Sequence, residues 1–89
     1  MCRSIKTLYH LDPPATDDEI RAAALQFVRK LSGFNAPSKT NEAAFAAAVD
    51  EITVVARWLL ATLETNAAPR DRATLAAQAR ERAARRYAG

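Results

Sequence analysis

Apolar side chains recur at steps of three and four residues in two segments of the chain. The repeating positions are Ile20, Ala24, Phe27 and Leu31 in the first segment, and Phe45, Val49, Ile52, Ala56, Leu59 and Leu63 in the second. A period of about 3.5 residues keeps such side chains on one face of an α-helix, the face along which helices pack against each other. The pattern therefore predicts an all-α protein built on an antiparallel helical hairpin.

The first helix has clear start and stop signals. Thr16 and Glu19 have the spacing of a capping box, in which each side chain satisfies a free backbone amide at the start of a helix. Gly33 suits a left-handed residue that ends a helix. We expect this helix to extend from Asp17 to Ser32.

The second helix is predicted over about residues 41–65, with Thr40 or Asn41 as its cap. It is apolar on more than one side, because four large side chains lie off its main seam: Val54, Val55, Trp58 and Leu60. A single partner helix leaves part of this surface uncovered, and 89 residues bury little surface by themselves. We expect either the N-terminal segment or a second copy to cover it, and predict a homodimeric helical bundle.

The N-terminal segment, residues 1–11, is compatible with a short helix or with an extended chain. Pro13 and Pro14 end any helix there, since proline lacks an amide hydrogen and restricts the residue before it. No apolar run approaches the roughly 18 residues that a membrane span requires. We therefore expect a cytoplasmic protein with no membrane partner.

Charge divides the chain into a core region, residues 1–66, and a C-terminal region, residues 67–89. The core region has seven basic and eight acidic residues, a net charge of −1, whereas the C-terminal region has six arginines against two acids, a net charge of +4. The second region is rich in alanine and predicts a helix or tail with neither a clean apolar stripe nor a clean basic one. Its alternatives are a solvated helix and a nucleic-acid-binding segment. The arginines concerned are Arg70, Arg72, Arg80, Arg82, Arg85 and Arg86.

The junction between the two predicted helices is a candidate anion or partner site. Basic side chains there flank the free amides and polar side chains at the start of the second helix, an arrangement that attracts anions. The candidate residues are Arg3, Arg29, Lys30, Ser38, Lys39, Thr40 and Asn41. The alternative is ordinary capping with solvated lysines.

Cys2 is the one cysteine of the chain and a candidate for thiol or metal chemistry. Removal of Met1 would place a free amine beside the thiol, and Arg3 would favour the thiolate. His10 is a possible second metal ligand across a dimer. The alternative is that Cys2 is a small buried side chain.

Several segments together resemble the bacterial domain-of-unknown-function family DUF2277. They are residues 1–8, 13–16, 24–33, 37–38 with 41–45, and 69–72, so the resemblance extends over nearly the whole chain. The family pattern includes Cys2, Arg3, the turn at 29–33 and the loop at 37–41, and does not include His10. The resemblance implies that the N-terminus and the helix junction form the functional surface, and it implies no activity.

No acid/base pair, activated nucleophile or metal cluster is visible in the sequence. We therefore expect a non-enzymatic interaction or ligand-binding module without a cofactor, which binds a protein or a small anionic partner. Nucleic-acid binding through the C-terminal region and thiol or metal chemistry at Cys2 are the alternatives.

Overall fold

The structure is a computed structural model that describes residues 5–88 of the chain. Three helices account for most of it, and two very short strands join the segment before the first helix to the segment before the third. In chain order the elements are β1 (Leu11–Asp12), α1 (Asp17–Ser32), a single 3₁₀ turn (Lys39–Asn41), α2 (Glu42–Thr62), β2 (Arg70–Asp71) and α3 (Arg72–Ala88).

Helix α1 has the ends that the sequence predicts. The Thr16 hydroxyl accepts the Glu19 amide at 3.1 Å, and a Glu19 carboxylate oxygen accepts the Thr16 amide at 2.9 Å. At the other end Gly33 is left-handed, with φ of 79°, and its amide donates to the Arg29 carbonyl. Glycine adopts this conformation without the steric cost that a Cβ atom brings.

Helices α1 and α2 pack antiparallel, because Asp17 pairs with Arg57 while the later residue Arg21 pairs with the earlier Asp50. The contact is made by rows of residues four apart. The buried residues are Ile20, Ala24 and Val28 on α1 and Val49 and Thr53 on α2. The Thr53 hydroxyl is satisfied within the helix, where it donates to the Val49 carbonyl at 2.6 Å.

The predicted seam is wrong in part, because four of its residues are exposed in the chain. Phe27, Leu59 and Leu63 are close to half exposed, and Leu31 is 76% exposed. The prediction of this seam assumed that the two helices cross at the shallow angle typical of coiled coils, in which the contacting residues follow a 3.5-residue period. Contact through rows of residues four apart favours a steeper angle between the helix axes, about 50° in magnitude. Side chains away from the crossing point then have no partner on the other helix.

The prediction of a mostly helical fold is confirmed, but the two short strands were not expected. Leu11 and Asp12 pair in parallel with Arg70 and Asp71, and the His10 carbonyl accepts the Arg70 amide at 2.8 Å. Residues 5–10 contain no helix, so the helical alternative for this part of the N-terminal segment is wrong. The sequence did not predict these strands, because strands of two residues are too short to show an alternating apolar pattern and their partners are 59 residues apart.

Helix α2 ends at Thr62, three residues before the predicted end. Leu63 has an extended backbone, and its amide makes the last helical bond, to the Leu59 carbonyl. Beyond it the Thr65 hydroxyl accepts the Ala67 amide at 3.1 Å. Threonine hydroxyls that bond to nearby backbone compete with helix continuation.

The chain alone is flat and open. Its dimensions are 45 × 37 × 18 Å and its radius of gyration is 15.9 Å. A compact domain of this length has a radius of gyration of about 12 Å. None of the helices within residues 5–88 has the length and apolar character needed to cross a membrane.

Candidate interaction surface

The two long edges of the helical hairpin differ in chemistry. One edge has the ion pairs Arg21–Asp50, at 2.6 Å, and Arg57–Asp17, at 3.0 Å. These side chains are about half exposed or more, so each pair contributes little to stability. Their main effect is to make this edge polar and to hold the antiparallel register.

The C-terminal half of the outward side of α2 is largely apolar. At 100° per residue, four large side chains follow one another over an arc of about 140° around the helix. We call them the α2 patch; they are Val54, Val55, Trp58 and Leu59. Their exposed fractions lie between 45% and 63%, so the patch is largely in water in the isolated chain.

Contiguous exposed apolar surface of this kind marks an interaction site in a folded protein. Trp58 is the strongest evidence that the α2 patch is an interaction site, because tryptophan is enriched at the hot spots of protein interfaces. Trp58 was predicted to lie in a core or an interface; the chain alone places it outside the core.

A clasp joins the start of α3 to the start of α1. It consists of the β1–β2 pairing and of Arg72, whose guanidinium forms a two-point salt bridge with Glu19 at 2.7 and 2.8 Å. The Arg72 Nε also donates to the Pro13 carbonyl at 2.6 Å. Because guanidinium is planar and has several donors, one side chain fixes both segments.

The clasp changes the ionisation of its members. Hydrogen bonds from Arg72, followed by the Thr16 amide, lower the pKa of Glu19 from 4.5 to about 2. The same pair raises the pKa of Arg72. Glu19 therefore serves two structures at once, the cap of α1 and the attachment of α3.

Asp71 caps α3, a role that the sequence analysis missed. One of its carboxylate oxygens accepts the amide of Thr74 at 2.9 Å and the hydroxyl of Thr74 at 2.7 Å. These bonds lower the pKa of the Asp71 carboxyl. The signal was present, because an aspartate three residues before a threonine, at the start of an alanine-rich segment, suits a helix N-terminus.

The six arginines of the C-terminal region do not form one group. Arg72 is engaged in the clasp, where its guanidinium binds Glu19 and the Pro13 carbonyl, and its role on a nucleic-acid surface stays a prediction. Arg70 lies in β2, and Arg85 is 3.7 Å from Glu81 on the same helix. The side chains of Arg70, Arg80, Arg82, Arg85 and Arg86 are exposed.

At the helix junction the predicted anion-site residues have local partners. The Arg29 Nε donates to the Asn35 carbonyl at 2.9 Å, and the Asn41 side chain donates to the Ser38 hydroxyl at 3.2 Å. Lys30, Lys39 and Thr40 are exposed. The 3₁₀ turn places Glu42 in the first turn of α2, where its negative charge competes with a bound anion. Anion binding here stays a prediction.

Cys2 and Arg3 lie outside the described residues. His10 is within them, and its Nε2 donates to the Ala67 carbonyl at 2.8 Å, which supports the clasp. Within residues 5–88 no group of three or more His, Cys, Asp or Glu side chains is placed to hold a metal ion. A metal or thiol role for Cys2 stays a prediction.

An open cleft separates the N-terminal segment from the hairpin. It has a volume of about 570 Å³, and its lining includes Tyr9, His10, Arg57 and Leu60. The described part of the N-terminal segment thus lies beside the end of α2, but it does not cover Val54, Val55 and Trp58 as one of the two predicted arrangements required. The α2 patch remains exposed on the other side.

The comparison with protein families identifies the chain. The model of the family described as "Uncharacterized conserved protein (DUF2277)" matches residues 1–78. The chain belongs to the DUF2277 family. The match includes the clasp and the α2 patch and ends within α3, before Arg80 and Tyr87. Neither a curated protein nor a solved structure matches the chain.

Proposed function

We propose that this DUF2277 protein is a self-associating helical interaction domain, and that two copies associate through the α2 patch. The observation that carries the proposal is surface area. The chain exposes 7136 Å². A folded monomer of 9.7 kDa exposes about 5,100 Å². Each chain therefore has about 2,000 Å² more surface than its mass predicts.

This excess has the size of a stable interface. A typical specific complex buries about 800 Å² per partner, and obligate homodimers bury more. The small core supports the same conclusion, since only five of the described residues are buried and one of them is a threonine. A second copy that covers the α2 patch would supply the missing core.

Symmetry explains how one patch serves both copies. In a two-fold dimer residue i of one subunit contacts residue j of the other and j contacts i, so the surface that covers one α2 patch covers both. The α2 patch suits such an arrangement because it is apolar and has an aromatic side chain near its centre. The polar ion-pair edge would remain in solvent as the rim of the interface.

A charge placed in the patch tests this function. We expect Trp58→Glu to raise the dimer Kd at least about 100-fold, because an unpaired carboxylate would be buried at the centre of the interface. Sedimentation velocity over a range of concentrations measures the change. Ala46→Glu is the matched control, since it adds the same charge on the ion-pair edge and should leave the dimer intact.

The helix content of both variants, measured by circular dichroism, separates dissociation from unfolding. Helical but monomeric Trp58→Glu, together with dimeric Ala46→Glu, supports the proposal. Wild-type protein that sediments as a monomer at high micromolar concentration overturns it. Dimeric Trp58→Glu would also overturn the patch as the interface.

Nucleic-acid binding is a second candidate function, favoured by the exposed arginines of α3. If Arg80, Arg82, Arg85 and Arg86 contact phosphates, affinity should fall steeply with salt. Changing all four to glutamine should abolish binding to a mixed-sequence duplex in fluorescence anisotropy. The double variant Lys30→Gln/Lys39→Gln is the control, and equal binding by the four-arginine variant would reject this function.

A further inference from the structure

Helix α3 is the part of the molecule with the least support from its own chain. Within residues 5–88, α1 and α2 pack closely against each other, whereas α3 has its close neighbours in the adjoining β2. We call α3 the arm. We infer that in the dimer proposed above the arm of each copy lies on the α2 patch of the other, so that the two copies exchange their C-terminal helices. This inference rests on the proposed function.

The arm has a narrow apolar seam. Leu75, Ala79, Ala83 and Tyr87 are spaced four apart, so they follow one another at 40° intervals along one side of the helix. No clean apolar stripe was expected here, because the arginines are spread around most of the helix and only Leu75 and Tyr87 are large apolar residues. Small side chains between two large ones let another helix approach closely.

Tyr87 is the strongest sign that the seam is meant to be covered. It is 92% exposed, the most exposed of the large apolar side chains within the described residues. Tyrosine is among the residues that dominate binding energy at interfaces. Its position near the end of a 17-residue helix, about 22 Å from Arg72 in the clasp, suits contact with a neighbour rather than with its own hairpin.

The clasp explains why the arm is directed outward. Arg72, the first residue of α3, is fixed at three points on Glu19 and Pro13. Fixing a helix at its first turn sets the direction of the remainder. The large radius of gyration, 15.9 Å, is what an outward arm produces. Exchange of such an element between identical copies is a common route to dimers.

Charge favours contact between arm and core rather than between core and core. The core region has a net charge of −1, whereas the arm has five arginines and one glutamate. With Arg72 paired to Glu19, four arginines of the arm remain: Arg80, Arg82 and Arg85 lie to either side of the seam, and Arg86 lies within it, next to Tyr87. On α2, Glu51 lies one turn before Val54 and Val55, where it would meet an arginine of the partner arm.

Cross-linking between two different single-cysteine proteins tests the exchange. In a Cys2→Ser background, Ala83→Cys places a thiol on the seam and Val55→Cys places one in the α2 patch. One protein has an affinity tag so that mixed dimers have a distinct mass. After mixing and subunit exchange, we expect a short bismaleimide to cross-link the two proteins.

The matched control is Ala77→Cys, which lies about 120° around the arm from Ala83. It should give little cross-link to Val55→Cys. A cross-link that forms equally from both arm positions overturns the seam. A dimer without the Ala83–Val55 cross-link overturns the exchange and leaves the proposed dimer standing, whereas a monomer overturns both.

The double variant Ala83→Cys/Val55→Cys decides between chains. An intramolecular cross-link at high dilution would place the arm on its own hairpin and contradict the exchange. Independently, Tyr87→Ala should raise the dimer Kd by about tenfold or more if the residue anchors the arm. An unchanged Kd would contradict that anchoring role.

Discussion

The clasp and the α2 patch belong to the same small chain and differ in how completely their groups are satisfied. In the clasp, Glu19 accepts bonds from Arg72 and Thr16, and the His10 carbonyl accepts the Arg70 amide. In the α2 patch, large apolar side chains are about half exposed or more. The clasp is complete within one chain, whereas the patch is left uncovered, and the proposed dimer would cover it.

This difference between the clasp and the α2 patch indicates which contributions to stability would depend on association of two copies. The polar contacts of the clasp hold the start of α3 to the start of α1 within one chain, so they should persist in a monomer. Apolar burial is the main favourable term in folding, and this chain obtains little of it alone. The stability of the protein should therefore depend on its concentration, as expected for obligate homodimers.

Removal of Arg72 should have the largest effect on the clasp. Arg72→Ala deletes three hydrogen bonds and leaves Glu19 without its cationic partner. We expect a lower thermal midpoint and faster hydrogen exchange of the Arg70 amide, with helix α1 retained. Arg72→Lys should recover only part of the loss, since lysine lacks the planar two-point geometry. Unchanged exchange in Arg72→Ala would refute the clasp as a structural device.

Thr16→Ala should have a smaller effect, because it removes one side of the capping box. The expected loss is about 1 kcal/mol in the free energy of unfolding, measured by urea denaturation at fixed protein concentration. Thr16→Ser is the control, as it keeps the hydroxyl that accepts the Glu19 amide. A larger loss in Thr16→Ser than in Thr16→Ala would contradict the cap.

The smallest expected effect is the pH dependence of stability that Glu19 in the clasp contributes. The folded state keeps Glu19 ionised to about pH 2, whereas the unfolded chain takes up the proton near its ordinary value of 4.5. The stabilisation is therefore fully present above pH 4.5 and is lost as pH falls toward 2. Glu19→Gln should be less stable than wild type at neutral pH, and the gap should narrow across this window. Parallel pH curves would show that Glu19 is not held by Arg72.

Local signals predicted α1 well because each of its ends is specified by neighbouring residues. Thr16 with Glu19, and Gly33 after the last turn, fix the helix within a few positions. The end of α2 was less certain because Thr65 bonds to the backbone beyond the helix, and no strong stop residue follows Thr62.

The site was harder to predict because its parts are far apart in sequence. The Arg72–Glu19 pair joins residues 53 positions apart, and the two strands are too short to show an alternating pattern. The unusual apolarity of α2 was visible in the sequence. The sequence did not show which apolar side chains of α2 would be exposed, because that depends on which row of its residues packs against α1.

The central claim is that a second copy covers the α2 patch. Trp58 is the one tryptophan of the chain, so its fluorescence reports on the patch directly. Dilution of the wild-type protein should shift its emission to longer wavelength and increase iodide quenching, in step with dissociation seen by sedimentation. Emission typical of water-exposed tryptophan at every concentration, up to high micromolar, would contradict the account.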